Sequence, residues 1–403
     1  MFNDIHKTAG VCYPKGFTAA GVRAGIKKNG NLDVAVIYTE KEAAVAGVFT
    51  KNLVAAAPVH LSKIVVGTGT AHAVVANAGC ANACTGEQGI RDAEKTAVIT
   101  AKELNCRADD VIVASTGLIG LNIPMDKMEA GIKDAVKNLS KEGSVNAGNA
   151  IVTTDTYSKA CATEVEIGGV EVRFGAIAKG SGMIRPDMAT MLCFITTDAD
   201  IDQKLLQEAL RDAAEVSFNC MSVDGDMSTN DSVVVLANGA AGNKKIVDKG
   251  SDYEKFYETL KNICIELAKR IAADGEGATK FLTINVTGAE SFADAKQIGM
   301  SVANSPLVKT AFFGEDPNPG RTICAVGYSG VHVVPEKISI KFGELTVYDK
   351  GLVTKFDADA MKKVLAEHDI VVDIELGLGD AQATIYTCDL SYRYVAINSE
   401  YST

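Results

Sequence analysis

The chain has no tryptophan, only five histidines and only eight prolines among its 403 residues. The histidines, His6, His60, His72, His332 and His368, are scattered, which weakens any histidine-built metal site. So little proline leaves no Pro-rich linker to mark a domain boundary. Long apolar runs are missing as well: stretches such as Ala43 to Phe49 are far too short to cross a bilayer. The N-terminal MFNDIHKTAGVCYPKGF lacks the apolar core of a signal peptide, so a cytoplasmic protein is expected. There is no C-x-x-C pair. Cys12, Cys80, Cys84, Cys106, Cys161, Cys193, Cys220, Cys264, Cys324 and Cys388 are spread singly and read as reduced core residues, with no metal expected. Nor is there a basic stripe: 40 Lys and Arg against 51 Asp and Glu give a formal charge of -11, spread along the chain. That balance argues against nucleic acid and anionic membrane as partners and leaves small-molecule chemistry.

What is present is the makeup of a soluble globular protein, 47% hydrophobic and 23% charged, with 37 glycines suited to tight turns between short strands. Apolar β-branched runs predict strands at Asp33 to Tyr38, Ala73 to Ala76, Val111 to Ala114, Val170 to Ile177, Met191 to Thr196, Ser232 to Leu236 and Phe281 to Val286. Helical periodicity appears at Ala93 to Leu104, Asp126 to Leu139, Gln203 to Phe218, Asp252 to Ala273 and Ala360 to His368. A hairpin-like pair around Ile338 to Tyr348, then Ala383 to Ile397, closes the chain. Strands and helices alternate without the rhythm of a doubly wound sheet, so the expected class is α+β, in a layered αββα-like arrangement.

The segment Ala178 to Thr197, AKGSGMIRPDMATMLCFITT, sets a Lys-Gly-Ser-Gly turn and a proline before a threonine that opens an apolar strand. Thr190 is placed to attack from the strand's end, but a hydroxyl is a weak nucleophile and no nearby His or Asp is an obvious triad partner. One solution is a break of the Ala189–Thr190 bond. Thr190 would then carry a free α-amine, of pKa about 7.7–8.0, to take its own hydroxyl proton. From spacing alone the first reading of Thr190 is still an ordinary strand residue.

KGSGMIRPDMATML closely resembles the cleavage-site motif of the ornithine acetyltransferase family, also called the glutamate N-acetyltransferase or bifunctional arginine biosynthesis family. FTAAGVRAGIK, AVAGVFTKN, ANAGCANACTG, ASTGLIG, TTDTYSK, VDGDMSTNDS, ADGEGATKF, GEDPNPGR and INSEYST resemble further family blocks in the family's order, over essentially the full chain. The resemblance implies a precursor that cuts itself into an α chain, residues 1–189, and a β chain, residues 190–403, held in one intertwined unit with an N-terminal-nucleophile-like site. Two copies of each would assemble as an α2β2 heterotetramer. Thr190 would attack first its own preceding carbonyl and then the acetyl carbonyl of N-acetylornithine, and glutamate would collect the acetyl group in a ping-pong cycle. Some members of this family also acetylate glutamate from acetyl-CoA, and no residue in the sequence decides that point; no cofactor is implied.

By the same resemblance Thr116 and Gly117, at the end of the apolar run Val111 to Ala114, form the oxyanion pair. Lys179 and Glu276 supply charge to the substrate pocket, Thr153 binds substrate with Thr154 as the adjacent alternative, and Asn398 and Thr403 complete the set. The last two imply that the chain's end folds back over the pocket. Without the family context each of these is an ordinary turn or surface residue. In GEDPNPGR, Pro319 stands where the family usually has tryptophan. VDGDMSTND alternates oxygen ligands as a calcium loop does, but Thr229 and Val235 stand where that loop needs glycine and glutamate, so a polar turn supporting the site is expected. Two other functions compete: a self-cleaving aminopeptidase, in which water resolves the acyl-enzyme, and a non-catalytic binding protein with Thr190 merely structural.

Overall fold

The computed structural model describes residues 10–185 and 191–400, which fall into two compact units. The first gathers residues 10–180, 191–215 and 227–267; the second gathers 181–185, 216–226 and 268–400. The expected cut at 189/190 would be chemical whereas this division is one of packing, so neither decides the other.

Eight strands build the sheet of the first unit: β1 (Phe17–Val22), β2 (Val34–Phe49), β3 (Thr70–Cys80), β4 (Val111–Leu118), β5 (Lys159–Ile167), β6 (Val170–Lys179), β7 (Leu192–Thr197) and β8 (Ser232–Ala237). Their order is β4-β3-β2-β8-β7-β6-β5, with β1 also paired to β2. The pairs β3/β4 and β7/β8 are parallel and the others antiparallel. LCFITT and SVVVLA, the central β7 and β8, are buried at every position, as near-continuous apolar strands covered on both faces must be. Elsewhere the period of two sorts side chains between two cores. Ile37, Val74, Ile112 and Phe194 pack with Ala147 and Ile151 of helix Ser144–Ile151 on one face. On the other, Val36, Val75 and Val113 pack with Ala97 of helix Gly86–Leu104 and Met128 and Ile132 of helix Met125–Lys137.

In the second unit β9 (Phe281–Ala289), β10 (Ser339–Phe342), β11 (Leu345–Asp349), β12 (Leu352–Val353), β13 (Asp369–Glu375) and β14 (Ala381–Cys388) form a sheet in the order β12-β11-β10-β13-β9-β14. Ile284, Val286, Ile340, Val372 and Ile385 close its core against Ile298 and Val302 of helix Phe292–Ala303. Ser291 caps that helix, its hydroxyl accepting from the Asp294 amide.

The α+β expectation holds, and every expected strand and helix is present within a few residues, with three differences, the first being that helix Gly86–Leu104 starts seven residues before the expected Ala93. β2 continues past Tyr38 to Phe49, and Ala383 to Ile397 divides into β14 and a helix, Tyr392–Glu400. Pro319 opens helix Pro319–Gly327, where its missing N–H costs no hydrogen bond. Among the described residues no helix is long and apolar enough to cross a membrane.

Candidate active site

In the first unit three of the expected residues meet. Lys179 ends β6, is 4% exposed, and its Nζ donates to Thr116 Oγ1 at 3.1 Å and to Thr153 Oγ1 at 2.9 Å. Thr153, not Thr154, makes this contact. By accepting from an ammonium, the Thr116 hydroxyl keeps its own hydrogen for donation to an oxygen that gains negative charge. The next residue must be glycine. Gly117 has φ of +130°, and a Cβ there would lie 2.4 Å from the Gly79 carbonyl carbon, on the strand that β4 pairs with.

A carboxylate absent from the expected set holds this cluster in place. The buried Asp155 accepts from the Lys159 ammonium and from the Gly180 amide at 2.7 Å through Oδ1, and from the Thr153 amide at 3.1 Å through Oδ2. Burial alone would raise its pKa, but the charges of Lys159 and Lys179 and these hydrogen bonds overcome that and hold it at about 2. Asp155 is therefore an anion that fixes the backbone on both sides of the Lys179–Thr153 contact. Its place at the centre of TTDTYSK is the signal that could have singled it out. Lys27 also belongs to this neighbourhood: burial, helped by the charge of Lys179, lowers it to about 8 although Asp33 opposes the shift.

In VDGDMSTND polar side chains are taken up by backbone groups. Asp224 accepts from the amides of Met183 and Ile184 at 2.6 and 2.9 Å in the second unit, whereas Asn230 in the first donates to the carbonyls of Ala81 and Ser115 at 2.6 and 2.8 Å. Asn230 thus fixes the peptide that leads into Thr116. Asp231, the next residue, accepts from the Met191 amide through Oδ1 at 2.8 Å, and the Ser232 amide donates to the Met191 carbonyl at 2.9 Å. These bonds seat the residue just ahead of β7. Among the described residues no group of His, Cys, Asp and Glu has the makeup of a metal site.

Glu276 and Asn398 meet in the second unit, where Asn398 Nδ2 donates to Glu276 Oε2 at 2.8 Å. Close packing fixes the loop that carries Glu276: a Cβ on Gly182 would come within 2.5 Å of the Glu276 carboxylate, and one on Gly277 within 2.7 Å of the Tyr394 amide. The C-terminal helix thus folds back onto the Glu276 loop. Ala189, Thr190 and Thr403 lie outside the described residues.

An α+β fold that converges a buried ammonium, two hydroxyls and a strand-end glycine offers donors of the kind that enzymes of acyl transfer turn toward an oxyanion. The ArgJ family model matches residues 18–403, and the chain belongs to the ArgJ family. The arginine biosynthesis bifunctional protein ArgJ of Symbiobacterium thermophilum is 50% identical over 396 residues, covering 98% of each chain. That of Geobacter sulfurreducens is 46% identical over 390 residues, covering 96% of this chain and 99% of its own. The crystal structure of arginine biosynthesis bifunctional protein argJ from Bacillus halodurans is 42% identical, with a TM-score of 0.50 over 51% of this chain and 97% of that one.

Proposed function

We propose that this arginine-biosynthesis acetyltransferase moves the acetyl group of N-acetylornithine to glutamate through an acyl-enzyme on Thr190. The carrying observation is the contact of Lys179 with both Thr116 and Thr153, in a chain whose family match is nearly complete. Self-cleavage after Ala189 would produce the α chain, 1–189, and the β chain, 190–403, and free the Thr190 amine. That amine then takes the hydroxyl proton as Oγ attacks the acetyl carbonyl carbon. Thr116 and the Gly117 amide hold the tetrahedral oxyanion, and ornithine leaves with the proton. Glutamate enters, its amine attacks the ester, and Thr190 regains its hydroxyl. Thr153, Lys179, Glu276, Asn398 and Thr403 bind the amino acid's charged and polar ends. We place the enzyme in the cytoplasm, where both substrates are soluble, as an α2β2 heterotetramer.

The test is acetyl transfer from N-acetylornithine to glutamate beside a peptide hydrolysis assay. Transfer without hydrolysis is expected; hydrolysis alone would revive the aminopeptidase reading, which the family match does not favour. The relatives' name, bifunctional, supports acetyl-CoA as a second donor. N-acetylglutamate formed from acetyl-CoA and glutamate would establish it, and none formed would restrict the enzyme to acetylornithine.

A further inference from the structure

The helix that carries Asn398 is lightly packed. Tyr392–Glu400 has nine residues, none of them buried, and Val395 is 63% exposed. A helix so short is marginal in water and chain ends fray, so polar contacts must do much of the seating. Such contacts are spaced along it, all within the second unit. Just before it, the Ser391 hydroxyl donates to the Gly277 carbonyl at 2.6 Å and accepts from the Arg393 amide at 3.1 Å. In its first turn the Tyr394 phenol donates to Asp224 Oδ2 at 3.3 Å. One turn further, Asn398 Nδ2 donates to Glu276 Oε2 at 2.8 Å and to the Tyr394 carbonyl at 3.0 Å.

We propose that Tyr394 is a positioning residue for the amino-acid substrate: its bond to Asp224 fixes the helical turn from which Asn398 reaches Glu276. The inference rests on the reading that Glu276 and Asn398 hold the substrate, and Tyr394 itself need not touch it. Tyr394 and Asn398 are four residues apart and so share one face of the helix. Because the Tyr394 carbonyl is also an acceptor for Asn398 Nδ2, a shift of Tyr394 moves the amide at one of its two contacts and strains the other. The loop side has no slack either. Gly277, the residue after Glu276, has φ of +71°, and its Cα lies so close to the helix that a Cβ would come within 2.7 Å of the Tyr394 amide.

Asp224 is suited to be the anchor because its own carboxylate is fixed. It accepts from the amides of Met183, Ile184 and Asp226 at 2.6, 2.9 and 3.1 Å. A carboxylate held by three backbone groups passes its position to whatever binds it, and a bond from a phenol to such a group is charge-assisted. Partial burial, reinforced by the Asp224 charge, raises the Tyr394 phenol above its ordinary pKa, so it stays a donor near neutral pH. The hydroxyl acts at a distance from the reacting bond. Its loss should therefore weaken binding and leave the chemical step nearly as it was.

The test compares the full-length wild type, Tyr394→Phe, Asn398→Ala and the double variant in acetyl transfer from N-acetylornithine to glutamate. Tyr394→Phe loses the hydroxyl and keeps the ring. Its KM for N-acetylornithine should rise roughly three- to tenfold, the scale of one hydrogen bond, while kcat changes by less than about twofold. On the Asn398→Ala background the same substitution should raise KM no further, because the amide it positions is gone. Hydrogen exchange read by mass spectrometry should quicken in peptides covering 392–400 and 275–278 and stay unchanged in β9 and β14. An unchanged KM in Tyr394→Phe, or effects that add in the double variant, would overturn the proposal. Exchange that quickens across the whole sheet would give Tyr394 a merely structural role and overturn it as well. If Asn398→Ala alone binds N-acetylornithine as the wild type does, the substrate reading of Asn398 fails and takes the proposal with it. A raised KM in Asn398→Ala beside an unchanged one in Tyr394→Phe removes only Tyr394.

Discussion

In the proposed mechanism Thr190 carries two demands, cutting and carrying, and substitutions there should separate them from binding. Thr190→Ala is expected to stay whole on a denaturing gel and to transfer no acetyl group. Thr190→Ser keeps a hydroxyl and should cut and retain part of the activity. As a proposed oxyanion donor Thr116 would serve only along the reaction path, so Thr116→Ala should lower kcat by roughly 10²–10³-fold while KM changes little, as removal of one oxyanion donor does. A rise in KM alone would assign Thr116 to binding. Asp155 should be read through stability. Its folded pKa of about 2 lies below the unfolded value, so its contribution is complete above the ordinary carboxylate range and is lost as pH falls toward 2. The shift corresponds to about 2 kcal/mol. Asp155→Asn leaves the fully buried Lys159 ammonium without its counter-charge and should cost about 3–5 kcal/mol in denaturant unfolding at pH 7, while flattening the acid limb below pH 4. At this scale the family blocks made the cluster readable, and they pointed to Lys179, Thr116 and Thr153 by number. Asp155 and Asp231 escaped because acidic residues are mostly solvated, and only burial distinguishes these two.

At the scale of elements, legibility followed how cleanly one period dominates. Central β7 and β8 were plain because both faces are covered, and helix Gln203–Glu215 was plain because one face is apolar. The sequence pattern shortens β2 because Glu40, Lys41 and Glu42 interrupt its apolar run, and the pairing with β3 shifts register between Tyr38 and Ala43. Helix Ala57–Thr68 carries a run, Ile64 to Val66, that sequence alone cannot tell from a strand. Helix Ser144–Ile151 packs small residues so closely that most of it is buried, which erases the polar face that marks a helix. The junction of β4 offers a direct test. Gly117→Ala would place a Cβ against the β3 backbone at a left-handed φ, so β4 must move, and the oxyanion donors with it. A loss of several degrees in Tm with a fall in kcat is expected; an unchanged Tm would show that the strand end yields without strain.

Across the whole molecule, the sheet of the first unit takes β1 to β6 from one side of the 189/190 bond and β7 and β8 from the other. The two later strands are not at an edge. β8 pairs with β2 from Ala44↔Ala237 through Phe49↔Ser232, and β7 pairs with β6 from Phe174↔Thr197 through Lys179↔Leu192. Size-exclusion chromatography of the cut protein should therefore recover both fragments together, and denaturing electrophoresis should part them. Fragments that separate without denaturant would contradict the sheet order.

That interleaving gives the protein a memory of its origin. One continuous chain inserts β7 and β8 between their neighbours in a single-molecule event, whereas severed chains must first find each other, and must do so with the middle of a sheet missing. Refolding of Thr190→Ala should be independent of protein concentration. Refolding of the cut enzyme should depend on it and lose yield on dilution. A break that costs the folded molecule no strand pairing would thus make its unfolding close to irreversible, so that persistence of the mature enzyme rests on how slowly it opens and not on an equilibrium it could re-enter.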